Sequence, residues 1–435
     1  MLKQIAFCIA LGSKLLALSL STPVTLTQLE PQHIPFNIQV VMNEQGDAVV
    51  TWANMTSPTE GALESAMRTK EGTWLPPTLI SKEKVGMYSQ TVIDPEGNVG
   101  VLWKPDYESL TLYLAEKKWM EPWSKPEEIS FSYKDVKFEK VVIDRDRNLV
   151  ALGEMPFGKG TAVALAFRDV KTHEIMYNER GQVDFSWRPE VFVDSRGVAL
   201  AVWHSDRMIP GWFSRTDERA FEGAWHEDHQ QWSMPEKIFA LPNSDTVSAI
   251  KIAVDAQRNA VVLRVVGLGD NTKLQAFSRV NEKWLAPVEI AQVGRYMIDL
   301  SISMDEKGNF LAIWSDMKKN TLHSVYKPFA GEWQTSLEVL QEGMARFPAL
   351  AFDHAGNFVL VWSKTGKEDA EIQGAVFATR DGKWSKPGKI SPDGCICMFP
   401  TVAFSESGKG ILAWAQILNL NDPRPFIQAA EIEVK

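Results

Sequence analysis

The sequence predicts an all-β chain, a single eight-bladed β-propeller with four antiparallel strands per blade and a ring closed by an N-terminal strand. Three observations predict it. A turn pattern recurs eight times at a period near fifty residues, the mark of a repeat architecture. A tryptophan stands at a fixed distance after most of those turns. A second motif, Trp-x-x-Pro, heads a further strand in most copies. The cleanest copy is residues 349–362, ALAFDHAGNFVLVW, which reads as strand, tight turn, strand.

The turn openers are Asn43, Asp94, Asp144, Asp194, Asp255, Asp305, Asp353 and Ser405, at intervals of 51, 50, 50, 61, 50, 48 and 52 residues. Nine positions after them stand Trp52, Trp103, Gly153, Trp203, Arg264, Trp314, Trp362 and Trp414. An Asp or Asn side chain opening a turn accepts backbone N–H bonds from residues just beyond it. Three residues on, a glycine such as Gly97 or Gly356 supplies the positive φ of a tight hairpin. Arg147 and Arg258 replace that glycine in the third and fifth copies, where Asn148 and Asn259 are expected to take the left-handed position. Those two copies also lack the tryptophan and form a variant pair.

The strand after the turn, for example Phe358-Val359-Leu360-Val361-Trp362, is apolar without alternation, as in a sheet covered on both faces. A third strand follows, as at residues 274–280 and 372–379. The fourth opens on Trp74…Pro77, Trp123…Pro126, Trp232…Pro235, Trp284…Pro287 or Trp384…Pro387, and on Trp333…Ser336 without the proline. Proline heading this strand suits a sheet edge, where no ladder donor is missed. Four short strands per repeat make one propeller blade. The eighth copy has three strands before the chain ends. Residues 23–27, PVTLT, match the end of the fourth-strand motif and are expected to complete it. The third copy lacks Trp-x-x-Pro, and residues 183–185 are the remaining candidate for its fourth strand.

The combined pattern, D-x-x-G-N-x-x-x-x-W with W-x-x-P-x-x-I-S, resembles that of poorly characterised secreted bacterial β-propeller repeat proteins. It covers nearly the whole chain after residue 21. The resemblance implies a fold and no particular activity. Eight-bladed quinoprotein dehydrogenases also carry tryptophan motifs, but with closer Gly–Trp spacing and an adjacent Cys-Cys pair that this sequence lacks. Arg188, Arg295 and Arg346 are similar in number to the arginine cluster of sialidases, yet they stand 6, 10 and 7 residues before their openers, and no F/Y-R-I-P segment occurs.

Residues 1–21 read as a signal peptide: Lys3, an apolar run interrupted by Lys14, and small residues at 17, 19 and 21. The chain is therefore expected to be exported, periplasmic or extracellular, with residues 22–435 as the propeller and no later membrane span. Its net charge of −9 argues against nucleic acid or an anionic membrane as partner. Beyond Cys8, cysteine is confined to Cys395 and Cys397, open between a local disulfide, two thiols, and half of a metal or redox site. His226-Glu227-Asp228-His229 falls in the longest interval; a solvated insertion explains it better than a metal site, because no third ligand is evident.

The candidate ligand-binding set gathers where the chain enters each inner strand, on the face opposite the D-x-x-G-N turns: Tyr88, Trp187, Arg188, Arg295, Tyr296, Arg346, Phe347 and Phe399. Aromatics with arginines around a funnel suit a glycan or an acidic peptide. The competing reading is that the rings plug the channel and the arginines pair with aspartates. The turn aspartates offer one carboxylate each, Asp144 with Asp146 excepted, which favours turn chemistry over calcium. No catalytic motif and no cofactor site is evident. The expectation is a monomeric binding platform for a glycan or protein ligand; the alternatives are a glycan-directed hydrolase or lyase and an envelope assembly scaffold.

Overall fold

A computed structural model describes residues 16–435 except 58, 87, 107–108, 110, 130–136, 158–159, 171–174, 184, 195–196, 209–214, 227–231, 242–246, 256, 295–296, 335–337, 367–368 and 420–421. The chain is all-β, built from antiparallel sheets of four strands taken in sequence order. The first is Ile34–Met42, Ala48–Ser57, Glu60–Arg68 and Thr78–Ser81. Five more sheets follow the same up-and-down order. The last two repeats share one larger sheet, joined by a single parallel bridge between Ala370 and Ile396. All five fourth-strand prolines stand immediately before the strand they head, as Pro126 does before Glu127–Ile129 and Pro235 before Glu236–Leu241. The third repeat's fourth strand is Ile175–Val183, and Phe185–Val193 is already the next inner strand. Residues 183–185 therefore do not serve as the strand the sequence left open.

The turns explain the D-x-x-G-N signature. In the second repeat Asp94 Oδ1 accepts the Asn98 N–H at 2.7 Å and Oδ2 accepts the Asn98 side-chain amide at 2.7 Å. Asn98 Oδ1 in turn accepts the Trp119 N–H at the end of the third strand, 3.1 Å away. The third, fifth and sixth repeats make the same three bonds. The first repeat reverses the pair: Asn43 Oδ1 accepts the Asp47 N–H, and Asp47 Oδ1 accepts the Lys70 N–H. Arg147 (φ 71°) and Arg258 (φ 62°) themselves take the left-handed conformation, so the expectation for Asn148 and Asn259 is corrected. Those asparagines are held to their aspartates. Arg147 is stabilised instead by its guanidinium, which reaches back to Asp94 and Glu116 of the preceding repeat.

Among the described residues the apolar core falls into eight clusters, each shared by two neighbouring repeats. Alternate side chains of one strand serve different neighbours. Val49 and Ala53 pack toward the second repeat, whereas Val50 and Trp52 pack against Ile411 and Ala413 of the eighth. This is why the strand reads apolar on both faces, and Phe358 through Trp362 are wholly buried. The six tryptophans nine residues after the openers are all at most 2% exposed. Arg264, which stands in their place in the fifth repeat, is also buried; it lies over the Phe277 ring and donates to Gln275. The fourth-strand tryptophans tie sheets together at the outer side. Trp123 donates to Ser65, Trp284 to Glu236 and Trp384 to Ser324, each in the preceding repeat.

The N-terminal strand expected at residues 23–27 is observed at Val24–Gln28, paired antiparallel with Asp422–Val434. Leu18–Leu20 extends the same edge, and Ala17 exchanges two backbone bonds with Lys435. Cys395 and Cys397 are disulfide-bonded at the start of the last inner strand, with Cα atoms 5.8 Å apart. His226 ends the strand Arg215–His226, buried and stacked 4.5 Å from Phe167, so it is a core residue and not part of a solvated loop. Residues 227–231, the rest of that motif, lie outside the described residues.

Candidate functional site

The inner strands share a feature that the turn and tryptophan motifs do not announce. In five repeats the ladder slips so that two inner-strand residues face one residue of the next strand. That one residue is the repeat tryptophan: Trp52, Trp203, Trp314, Trp362 or Trp414. The third and fifth repeats, which lack the tryptophan, slip at a different pair of residues. The second shows no slip over Tyr88–Ile93. A bulge of this kind bends the strand and re-aims its side chains. Its first residue is left-handed in Asn37 (φ 47°), Asp299 (54°), Phe347 (53°) and Phe399 (56°), all six positions before an opener. The dipeptides Arg188-Pro189, Phe347-Pro348 and Phe399-Pro400 were the available signal, because proline inside a strand marks an edge or a bulge.

Side chains at the bulge reach the next repeat. Asn37 donates to the Ser89 hydroxyl at 2.8 Å. Asp299 holds Arg346 at 3.2 Å. Phe347 packs against Phe399 with the rings tilted by 52° and centroids 4.5 Å apart, and Phe399 lies 6.2 Å from Phe36 of the first repeat. The Arg346 guanidinium lies 5.0 Å over the Phe347 ring. The structure therefore brings Arg346, Phe347 and Phe399 together, engaged with one another and with Asp299. Tyr88 shares the register of Phe347 and Phe399 and is 45% exposed, its hydroxyl accepting from Gln90. Trp187 and Arg188 lie at the fourth repeat's slip. Arg295 and Tyr296 fall outside the described residues.

The opposite end holds a cavity of about 740 Å³ lined by residues of all eight repeats. Its floor is apolar, with Val92, Phe192, Met304 and Phe352, and its mouth carries six of the openers, Asp94 and Asp353 excepted, together with Glu44, Arg145, Glu306, His354 and Glu406, each one residue after an opener. Arg145 holds Glu44 at 2.7 Å, and His354 meets Glu306 at 3.0 Å. A deeper chamber of about 440 Å³ shares Phe192, Met304 and Phe352 and adds Glu190, Lys251 and Ser301. Glu190 also pairs with Lys140 at 3.3 Å.

Burial pushes the Asp144 carboxyl up to about 6, against the pull of its Asn148 hydrogen bonds. A carboxyl raised in the folded state favours folding fully below its ordinary value near 4 and loses that contribution as pH climbs through 6. A shift of this size is worth on the order of 2–3 kcal/mol. Asp144→Asn is expected to flatten the fall in stability between pH 4.5 and 7.5, read by urea unfolding at both values. Parallel pH profiles for the two proteins would show that Asp144 does not titrate on unfolding.

No family model matches the chain, and no curated protein does. Solved structures align over most of its length. A protein of unknown function from Dyadobacter fermentans is 11% identical, with 96% of this chain and 99% of that one covered and a TM-score of 0.42. A polysaccharide lyase of family PL25, an ulvan lyase, is 10% identical over 84% and 96%, with a TM-score of 0.48. The β-propeller domain of the Trilobed protease from Pyrococcus furiosus is 11% identical over 83% and 98%, with a TM-score of 0.44. These values place all three too far from this chain to inform its chemistry.

Proposed function

We propose that the chain is an eight-bladed β-propeller whose eighth blade is completed by Val24–Gln28, and that it acts after export as a rigid, monomeric binding platform for a glycan or protein ligand. Two features support the ring: eight inter-repeat clusters, and the sharing of one of them by the first and last repeats. One observation carries the function. Every repeat contributes to a single cavity, so a ligand seated there touches all of them at once. Its raised carboxyl, Asp144, has both oxygens committed to Asn148, which favours binding over acid–base chemistry. At the other end Tyr88 is an exposed ring at the same offset before its opener as Phe347 and Phe399 of the locked Arg346–Phe347–Phe399 cluster, and an exposed ring suits stacking on a sugar.

A glycan and peptide array probed with the purified chain tests the reading. Tyr88→Ala with Arg346→Ala is expected to lower binding at least tenfold if the ligand sits on the bulge face. Retained binding there, with loss in Glu306→Gln/Glu406→Gln, would move it to the cavity mouth. Silence across the whole array would remove the platform reading.

A further inference from the structure

The outer-strand motif has an eighth copy that lacks its tryptophan. In the second, fourth and seventh repeats the motif reads Trp-Ser-x-Pro, from Trp123 to Pro126, Trp232 to Pro235 and Trp384 to Pro387. Its serine clasps the third strand twice. The Ser124 N–H donates to the Glu116 carbonyl at 2.8 Å, and the Ser124 hydroxyl oxygen accepts the Glu116 N–H at 2.9 Å. Ser233 does the same to Trp225, and Ser385 to Val376. Ser21 makes both bonds to Glu431, each at 2.9 Å. Leu20-Ser21-Thr22-Pro23 is therefore the eighth copy, with leucine in the tryptophan's place.

The register agrees. Trp384 pairs with Phe377 and Lys389 with Gln373, five positions along the outer strand against four along the third. Trp284 and Glu289 keep that spacing against Arg279 and Gln275. Leu20 and Thr25 keep it against Ile432 and Gln428. The packing corresponds too. Trp384 lies against the cluster between the sixth and seventh repeats, and Leu18 and Leu20 against the one between the seventh and eighth. A Cβ added at Gly374 of the seventh repeat would meet Leu18 Cδ1 at 2.7 Å, so the glycine makes room for that leucine.

A leader cut after Ser19 would strip Leu18 from this strand, and one after Ser21 would remove the serine clasp as well. We propose that the exported chain keeps residues 17–21 as the head of its eighth outer strand, and that its leader is cleaved upstream of Ala17. The last pair of small residues spaced for a leader peptidase before Ala17 is Ala10-x-Gly12. It follows an unbroken apolar run at residues 5–11, and Lys14 then falls outside the leader. The scissile bond is thus Gly12–Ser13. Water adds across it, leaving a carboxylate on Gly12 and a free amine on Ser13. The proposal rests on the export reading and assigns the processing site within it.

Intact mass and N-terminal sequencing of the exported chain, recovered from its own host, test the cut. Ser13 is the expected first residue. A start elsewhere between Ser13 and Ala17 moves the scissile bond and supports the retained strand. A start at Leu20 or Thr22, or an exported chain that keeps Met1, overturns the proposal while leaving export standing. Recovery from the cytoplasm alone, with Met1 in place, removes the export reading and the proposal together. Two purified chains, begun at Ser13 and at Thr22, test the strand independently of the leader. The longer chain is expected to melt several degrees higher, and Leu20→Ala/Ser21→Ala to close most of that gap. Equal melting of the two chains overturns the proposal.

Discussion

Trp362→Ala is expected to cost about 3–5 kcal/mol, the range for truncating a fully buried aromatic. The indole is wholly buried between the sixth and seventh repeats, against Leu311, Ile313 and Phe377. Repacking cannot close the space cheaply, because the residue also faces the bulge at 347–348. Losing the ring should loosen the left-handed turn at Phe347 as well as the core. Urea unfolding measures the first effect, and near-ultraviolet dichroism of the aromatic cluster the second. A cost below about 1 kcal/mol would mean that the tryptophan is not the packing element its position implies.

Deleting residues 22–29 from the exported chain should be comparably severe. It removes Leu26 and Leu29, 7% and 5% exposed in the cluster that joins the eighth repeat to the first. Two buried leucines contribute on the order of 3–6 kcal/mol together. It also strips the pairing from the outer side of Asp422–Val434 and leaves a raw edge open to association. The expected results are a markedly lower melting temperature and concentration-dependent aggregation. Leu26→Ala separates packing from edge exposure, since it keeps the strand. An unchanged melting curve in the deletion would refute the closing role proposed for this strand.

Much of the strand order was legible because each repeat states it in local chemistry. Asp94 and Asn98, Pro126, and the run ending in Trp103 act within a few residues of themselves. Features decided by partners far along the chain were not legible. The left-handed Arg147 depends on Asp94 and Glu116 of the preceding repeat, which no turn rule contains. The bulges depend on what stands across the ladder, a tryptophan some fifteen residues later in sequence in each case, as Trp362 does after Phe347. His226 read as loop because its neighbours are charged, whereas Phe167 from another repeat buries it. At the candidate site, aromatic and arginine residues could be assigned to one end of the repeats. Their pairing with one another could not, and neither could the cavity at the other end, which requires eight turns to be seen together.

The bond between Gln428 and Thr25 spans 403 residues. Apart from Leu18–Leu20 on the same edge, every other strand pairing among the described residues joins residues at most 26 positions apart, as Ala370 and Ile396 are, so chain closure for this one carries about 2–3 kcal/mol of additional entropy by logarithmic scaling. That penalty is modest at equilibrium but sets an order in time. During synthesis the first strand emerges with no partner and must wait for nearly the whole chain, while each intervening sheet can dock on its predecessor as it appears. The seam is therefore expected to form last and to open first. Hydrogen exchange at Thr25, Thr27, Gln428 and Ala429 should then report sub-global opening well before the amides of Val359 and Val361 exchange.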